Sequence, residues 1–209
     1  VETAPFQAIF SVPGRADIGS TGEAKNLMIS QADIDVSLRI KTVPKKQLKA
    51  FLYATIKGTG ETPLLPGPVA LFRDGPFVGK GHLPLIAGES HELGFGADDL
   101  VRIKYAILQE KRGETGLIST TRTDDRNYKL TITNLHKQKV DVTVLDQMPV
   151  ARDERIQGEL TGRTRPTKKD VDDKRGLLAW DFKLKPEEEK VIDFGYVVKW
   201  PSDKQIKYR

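Results

Sequence analysis

Apolar and polar residues alternate along most of the chain. Ile34, Val36, Leu38 and Ile40 are separated by Asp35, Ser37 and Arg39, and Val101, Ile103, Tyr105 and Ile107 keep the same period. Successive side chains of an extended segment point to opposite sides, so a period of two builds a strand with one buried and one wet face. The pattern returns at Tyr128, Leu130 and Ile132, at Val140, Val142 and Val144, at Leu178, Trp180, Phe182 and Leu184, and from Ile192 to Trp200. The stretch from Leu48 to Ile56 also reads as a strand. One-sided alternation favours antiparallel sheets over a parallel sheet covered by helices. The fold expected is all-β, an antiparallel β-sandwich. Its core is expected to hold Leu130, Ile132, Val142, Val144, Trp180, Phe182, Phe194 and Tyr196.

Turn chemistry agrees with the strands. Asp74-Gly75 lies between Val69-Ala70-Leu71-Phe72 and Phe77-Val78, a hairpin signal because this pair tolerates positive φ. Pro76 has no N–H for a ladder, so the second strand must begin unpaired or at an edge. The prolines of Thr62–Pro68 break the strands there. A boundary falls after Gly94-Phe95-Gly96, giving a β-rich part over 1–100 and a second part over 101–209. The loop from Thr161 to Gly176 is polar and has no apolar anchor in its first half, which predicts a mobile segment.

Charge alters this picture modestly. Residues 1–100 carry 10 Lys/Arg and 11 Asp/Glu, whereas residues 101–209 carry 24 and 18, so the net +5 belongs to the second part. Arg163, Arg165, Lys168 and Lys169 are the candidate contacts to an anionic polymer. Signs are interspersed along the chain, so nucleic acid is not expected as a partner. No apolar run approaches the ~20 residues of a membrane helix, so no membrane insertion is expected. The opening lacks the order of a signal peptide and enters strand-like sequence at once, which reads as a piece of a longer protein.

Absence of cysteine removes disulfides, thiolate metal sites and thiol nucleophiles. His82, His91 and His136 match no metal-ligand spacing, G-x-S-x-G does not occur, and the glycines near Gly58-Thr59-Gly60 lead into no helix that would complete a phosphate cradle. No catalytic residue and no cofactor are assigned. Acidic pairs form a secondary candidate site: Asp98 and Asp99, Asp124 and Asp125, Asp172 and Asp173. Two such pairs on neighbouring loops have the oxygen chemistry for Ca²⁺ or, facing across a cleft, for glycoside cleavage. Turn formation is the competing role for every one of them. Trp180 and Trp200 fall on buried faces and read as core.

Two passages, LLPGPVALFRDGPFVGKGHLPL at 64–85 and RGETGLISTTRTDDRNYKLTITNLHKQKVDVTVLDQMPV at 112–150, carry a resemblance. Together with ELGFGADDLVRIKY and DVDDKRGLLAWDFKLKPEEEKVIDFGYVVKWP, they resemble the C-terminal region of the bacterial mucoidy-inhibitor-like proteins, over most of residues 40–201. The conserved part of that family is catalogued as a domain of unknown function. The resemblance implies an exported, longer parent and a connection with exopolysaccharide-rich growth, and it brings no functional residues. Glu187 stands where such domains carry glycine in a proline-glycine-glutamate turn, so the turn is expected to avoid positive φ or to be looser. TITN, LAWDFKL and FGYVVKWP are also similar to immunoglobulin-like repeats of bacterial surface proteins, so the part over 101–209 is expected to be immunoglobulin-like. The function expected is a non-catalytic, extracytoplasmic binding or scaffolding module, in periplasm or at the cell surface, with an envelope protein or surface polysaccharide as partner. The rival is a carbohydrate-active enzyme using a carboxylate pair from the acidic loops.

Overall fold

The computed structural model describes residues 26–57, 66–84, 89–115 and 121–206, with short stretches and single positions before residue 23. Pro63 lies outside the described residues, and the expectation that the prolines of this stretch break the strands is corrected at its end, where Gly67 and Pro68 open a strand and stand opposite Leu83 and His82. The strands are β1 (Glu2–Ala4), β2 (Gln7–Ile9), β3 (Val36–Thr42), β4 (Ala50–Lys57), β5 (Gly67–Phe72), β6 (Phe77–Leu83) and β7 (Ser90–Ala97). There follow β8 (Val101–Thr115), β9 (Thr121–Asn134), β10 (Val140–Gln147), β11 (Gln157–Thr161), β12 (Lys168–Lys169), β13 (Leu177–Leu184) and β14 (Glu189–Pro201). The protein is all-β: among the described residues the one helical element is a 3-10 turn at Val171–Asp173. No helix there is long and apolar enough to cross a membrane.

The chain divides into two compact units, Val1–Ser37 with Ala54–Gly94, and Leu38–Tyr53 with Phe95–Arg209. In the first unit β5 and β6 form the hairpin that Asp74-Gly75 predicts. Asp74 and Gly75 have φ of 54° and 106°, and the Arg73 N–H donates to the Pro76 carbonyl at 3.0 Å. Pro76 therefore sits in the turn, where its missing N–H costs no ladder bond.

The second unit is a sandwich. One sheet has the order β12-β13-β10-β3-β4-β7, to which this unit contributes residues 38–42 of β3, 50–53 of β4 and 95–97 of β7, and the other has the order β11-β14-β9-β8. In spatial order alone, β12-β13-β10 and β11-β14-β9 parallel strands D-E-B and C-F-G of an immunoglobulin sandwich, with β9 lying ahead of β10 in the chain where G would follow F. One expectation is corrected: the first sheet is mixed. β3 runs parallel to β10, with Ile40 opposite Val142 and Thr42 opposite Val144. Alternation reports which face a side chain takes and is blind to the direction of the neighbouring strand, so it could not reveal this pair.

The inner faces make one core. Leu130, Ile132, Val142, Val144, Trp180, Phe194 and Tyr196 are buried as expected, while Phe182 is half-buried and packs against the cluster. Asn134 is wholly buried and ties two turns together: its side-chain amide donates to the carbonyls of Gln138, Leu184 and Lys185 at 2.9–3.2 Å. Its carbonyl also accepts the N–H of Glu187 at 2.9 Å. Glu187 departs from the sequence expectation, since its φ is 61°. The turn keeps the left-handed geometry that glycine would supply because the bond to Asn134 and one from the Lys185 N–H to the Glu188 carboxylate, at 2.7 Å, hold it there.

Candidate functional site

The segment from Thr161 to Gly176 leaves edge strand β11 through Gly162, whose φ is 89°. A Cβ at Gly162 would lie 2.7 Å from the Asp193 carbonyl oxygen, so glycine lets the chain turn flush against β14. Beyond it the Thr164 N–H donates to that carbonyl at 2.9 Å, and the Thr164 hydroxyl accepts the Asp193 N–H at 3.1 Å. The Trp180 indole N–H donates to the Thr164 carbonyl at 3.2 Å. Thr167 donates through both its N–H and its hydroxyl to the Ala179 carbonyl. The expectation of mobility rested on a missing apolar anchor, and the anchors here are polar. Asp170 closes the segment by accepting the Gly176 N–H at 2.6 Å.

A second loop, 148–156, lies beside it. The Met148 N–H donates to the Gly176 carbonyl at 3.0 Å. Gly158 of β11 leaves room for Met148, whose terminal methyl would stand 3.2 Å from a Cβ there. Between the two loops and β11 opens a cleft of about 610 Å³. Met148, Ile156, Leu160 and Leu178 form its apolar floor, and Arg165, Lys169 and Arg175 stand on its rim. Arg165 donates to the Leu160 carbonyl at 3.0 Å. Two carboxylates also line the cleft, each engaged: Glu159 with Lys199 at 3.2 Å, and Asp170 with the Gly176 N–H. Among the described residues none of the three rim cations has a carboxylate partner, whereas neighbouring Lys168 pairs with Asp181 at 3.1 Å. Burial pushes the Asp181 carboxyl upward, but bonds from the Thr143 hydroxyl and Lys168, with Arg39 nearby, outweigh it and leave Asp181 below the usual range.

Of the basic residues chosen from sequence, the fold brings Arg165 and Lys169 into the cleft, commits Lys168 to Asp181 and leaves Arg163 exposed outside it. Arg175 was missed because Asp-Lys-Arg-Gly reads simply as a turn. The acidic candidates stay apart: among the described residues no three His, Asp or Glu side chains gather where a metal ion would need them. Asp98 faces His136 at 3.0 Å and caps the turn by accepting the Leu100 N–H, while Asp99 is exposed. Asp124 is buried between Arg126 and Arg112, at 3.0 and 3.3 Å. The bonds that Arg126 donates to Asp124 raise the Arg126 pKa further still. Asp125 accepts from Gln109 and Asn127. Asp172 and Asp173 are exposed at φ of 53° and 57° in the 3-10 turn. His91 meets the backbone carbonyl of His82, at 3.2 Å, not its ring. Trp180 and Trp200 are both buried.

One buried group had gone unnoticed. Asp146 is 2% exposed, and its Oδ2 has no hydrogen-bond partner. Burial pushes its carboxyl up to about 6 against the opposing bond from the Gln147 N–H and the charge of Lys45. Tyr105 is raised in turn, by burial first and by the charge of Asp146 second.

The family model described as a domain of unknown function, DUF4139, matches residues 2–202. The chain belongs to this family. The DUF4139 domain is similar to Protein F37C4.5 of Caenorhabditis elegans, 25% identical over 218 residues covering 100% of this chain. The chain spans 39% of that relative's length. No solved structure matches it.

Proposed function

We propose that this domain is a non-catalytic binding or scaffolding module that holds an anionic partner in the cleft rimmed by Arg165, Lys169 and Arg175. The observation that carries the reading is the convergence on one concave, apolar-floored site of three cations without carboxylate partners among the described residues. Like charges held close together repel, and an anionic ligand relieves that repulsion while the floor adds burial of apolar surface. Resemblance to the mucoidy-inhibitor-like proteins supports an envelope protein or a surface polysaccharide as the partner, in an extracytoplasmic setting. The nematode relative widens the field beyond bacterial polymers.

The test is a titration of the domain with polyglutamate and with a polyuronate at low and high salt. Binding that weakens steeply with salt, and that falls at least about tenfold in a Lys169→Glu/Arg175→Glu variant of unchanged Tm, is the expected result. Absence of binding by either polymer at low salt overturns the reading.

A further inference from the structure

One wall of the cleft is a sheet edge. Among the described residues β11 is outermost in its sheet and pairs with β14 alone. In an antiparallel pair each residue turns both its N–H and its C=O either toward the partner strand or away from it, in alternation. Arg165, which belongs to no strand of that sheet, reaches the Leu160 carbonyl. Leu160 therefore faces away from β14, and Gly158, two residues earlier, does the same. The Arg165 guanidinium covers one of these outward groups. The Leu160 N–H and both backbone groups of Gly158 remain directed to the open side. Natural edges are commonly blunted by lysine, proline or a bulge, and Gln157-Gly158-Glu159-Leu160-Thr161 has none of these.

We propose that the cleft takes an extended acidic peptide, added as a further strand along β11. The proposal rests on the reading of the cleft as an anion site and narrows its occupant to polypeptide. Three features converge. The outward N–H and C=O groups match a peptide backbone, which repeats the same donors and acceptors, whereas an acidic polysaccharide offers no such ladder. The apolar floor of Met148, Ile156 and Leu178 receives aliphatic side chains, for which a polyuronate has no counterpart. The cations on the rim then receive carboxylates from the same segment. β11 is five residues long, so at ~3.4 Å per residue it templates about five residues of ligand.

The experiment uses the domain and a fluorescently labelled heptapeptide alternating glutamate and leucine, followed by anisotropy. Two further peptides carry N-methyl groups on one or the other alternate set of backbone amides, since only one set faces β11. Saturable binding is expected, lost at least tenfold with one methylated set and changed less than about threefold with the other, and weakened at least tenfold by Lys169→Glu/Arg175→Glu. Equal loss with both methylated sets overturns strand addition. Charge-sensitive binding of a polyuronate without binding of the peptide overturns the peptide assignment and leaves the anion site standing. Binding of neither overturns both.

Discussion

The indole of Trp180 meets the ring of Phe194 edge-on, with centroids 5.2 Å apart and planes at 66°. One ring comes from β13 and the other from β14, so the contact joins the two sheets of the sandwich. Phe194 also stacks on Tyr128 at 5.9 Å. Replacing Phe194 with alanine is expected to lower the unfolding free energy by about 3–5 kcal/mol, the usual cost of a phenylalanine cavity. Urea denaturation of both proteins measures the difference.

Asp146 makes stability fall with pH. An acid raised from 3.8 to about 6 in the fold holds its proton more tightly folded than unfolded. Its contribution is complete below the unfolded value and is lost as pH rises through about 6. The size is about 3 kcal/mol, at ~1.4 kcal/mol per unit. Asp146→Asn keeps an acceptor for the Gln147 N–H and is expected to gain in urea midpoint over wild type at pH 7.5. That gain should shrink toward zero at pH 4. An unchanged difference across this range would contradict the assignment.

Glu187 occupies a left-handed position that costs an L-residue about 1–2 kcal/mol, against about 0.5–1 kcal/mol of extra chain entropy for glycine. Glu187→Gly is therefore expected to raise stability by roughly 0.5–1 kcal/mol. Calorimetry reads the change in Tm, and a fall in Tm would show that the Glu187 side chain holds the turn.

Gly176 is the opposite case. Its φ is 79°, and a Cβ there would collide with Val150 and stand 2.6 Å from the Met148 carbonyl oxygen. Gly176→Ala is expected to cost at least about 2 kcal/mol, combining backbone strain with displacement of the 148–156 loop. Binding of acidic ligands should weaken in the same variant under conditions where it remains folded, measured by anisotropy beside a Tm control.

The core was legible because a period of two assigns faces without any knowledge of partners, as the burial of Leu130, Val142 and Phe194 shows. Asp146 was equally legible, two residues past Val144 and on its face, yet a lone carboxylate at a strand end reads as a turn residue. The cleft was only half legible. Arg165 and Lys169 stand out as loop cations, but their meeting with Arg175 and Met148 depends on Gly162 and Gly176 folding irregular backbone, which leaves no periodic trace. Lys168 looked equivalent to Lys169, and only the third dimension commits it to Asp181.

The partnership of β3 with β10 bears on how the chain reaches this state. Ile40 must find Val142 across about a hundred intervening residues, and closing a flexible loop of that length costs ~4 kcal/mol of entropy before any contact repays it. β10 can pair with β13 locally, so its other edge waits open until β3 arrives. Topologies dominated by such distant pairings fold in milliseconds to seconds. During that wait the open edge of β10 is a template for the β3 of a second molecule, and refolding yield should fall as protein concentration rises.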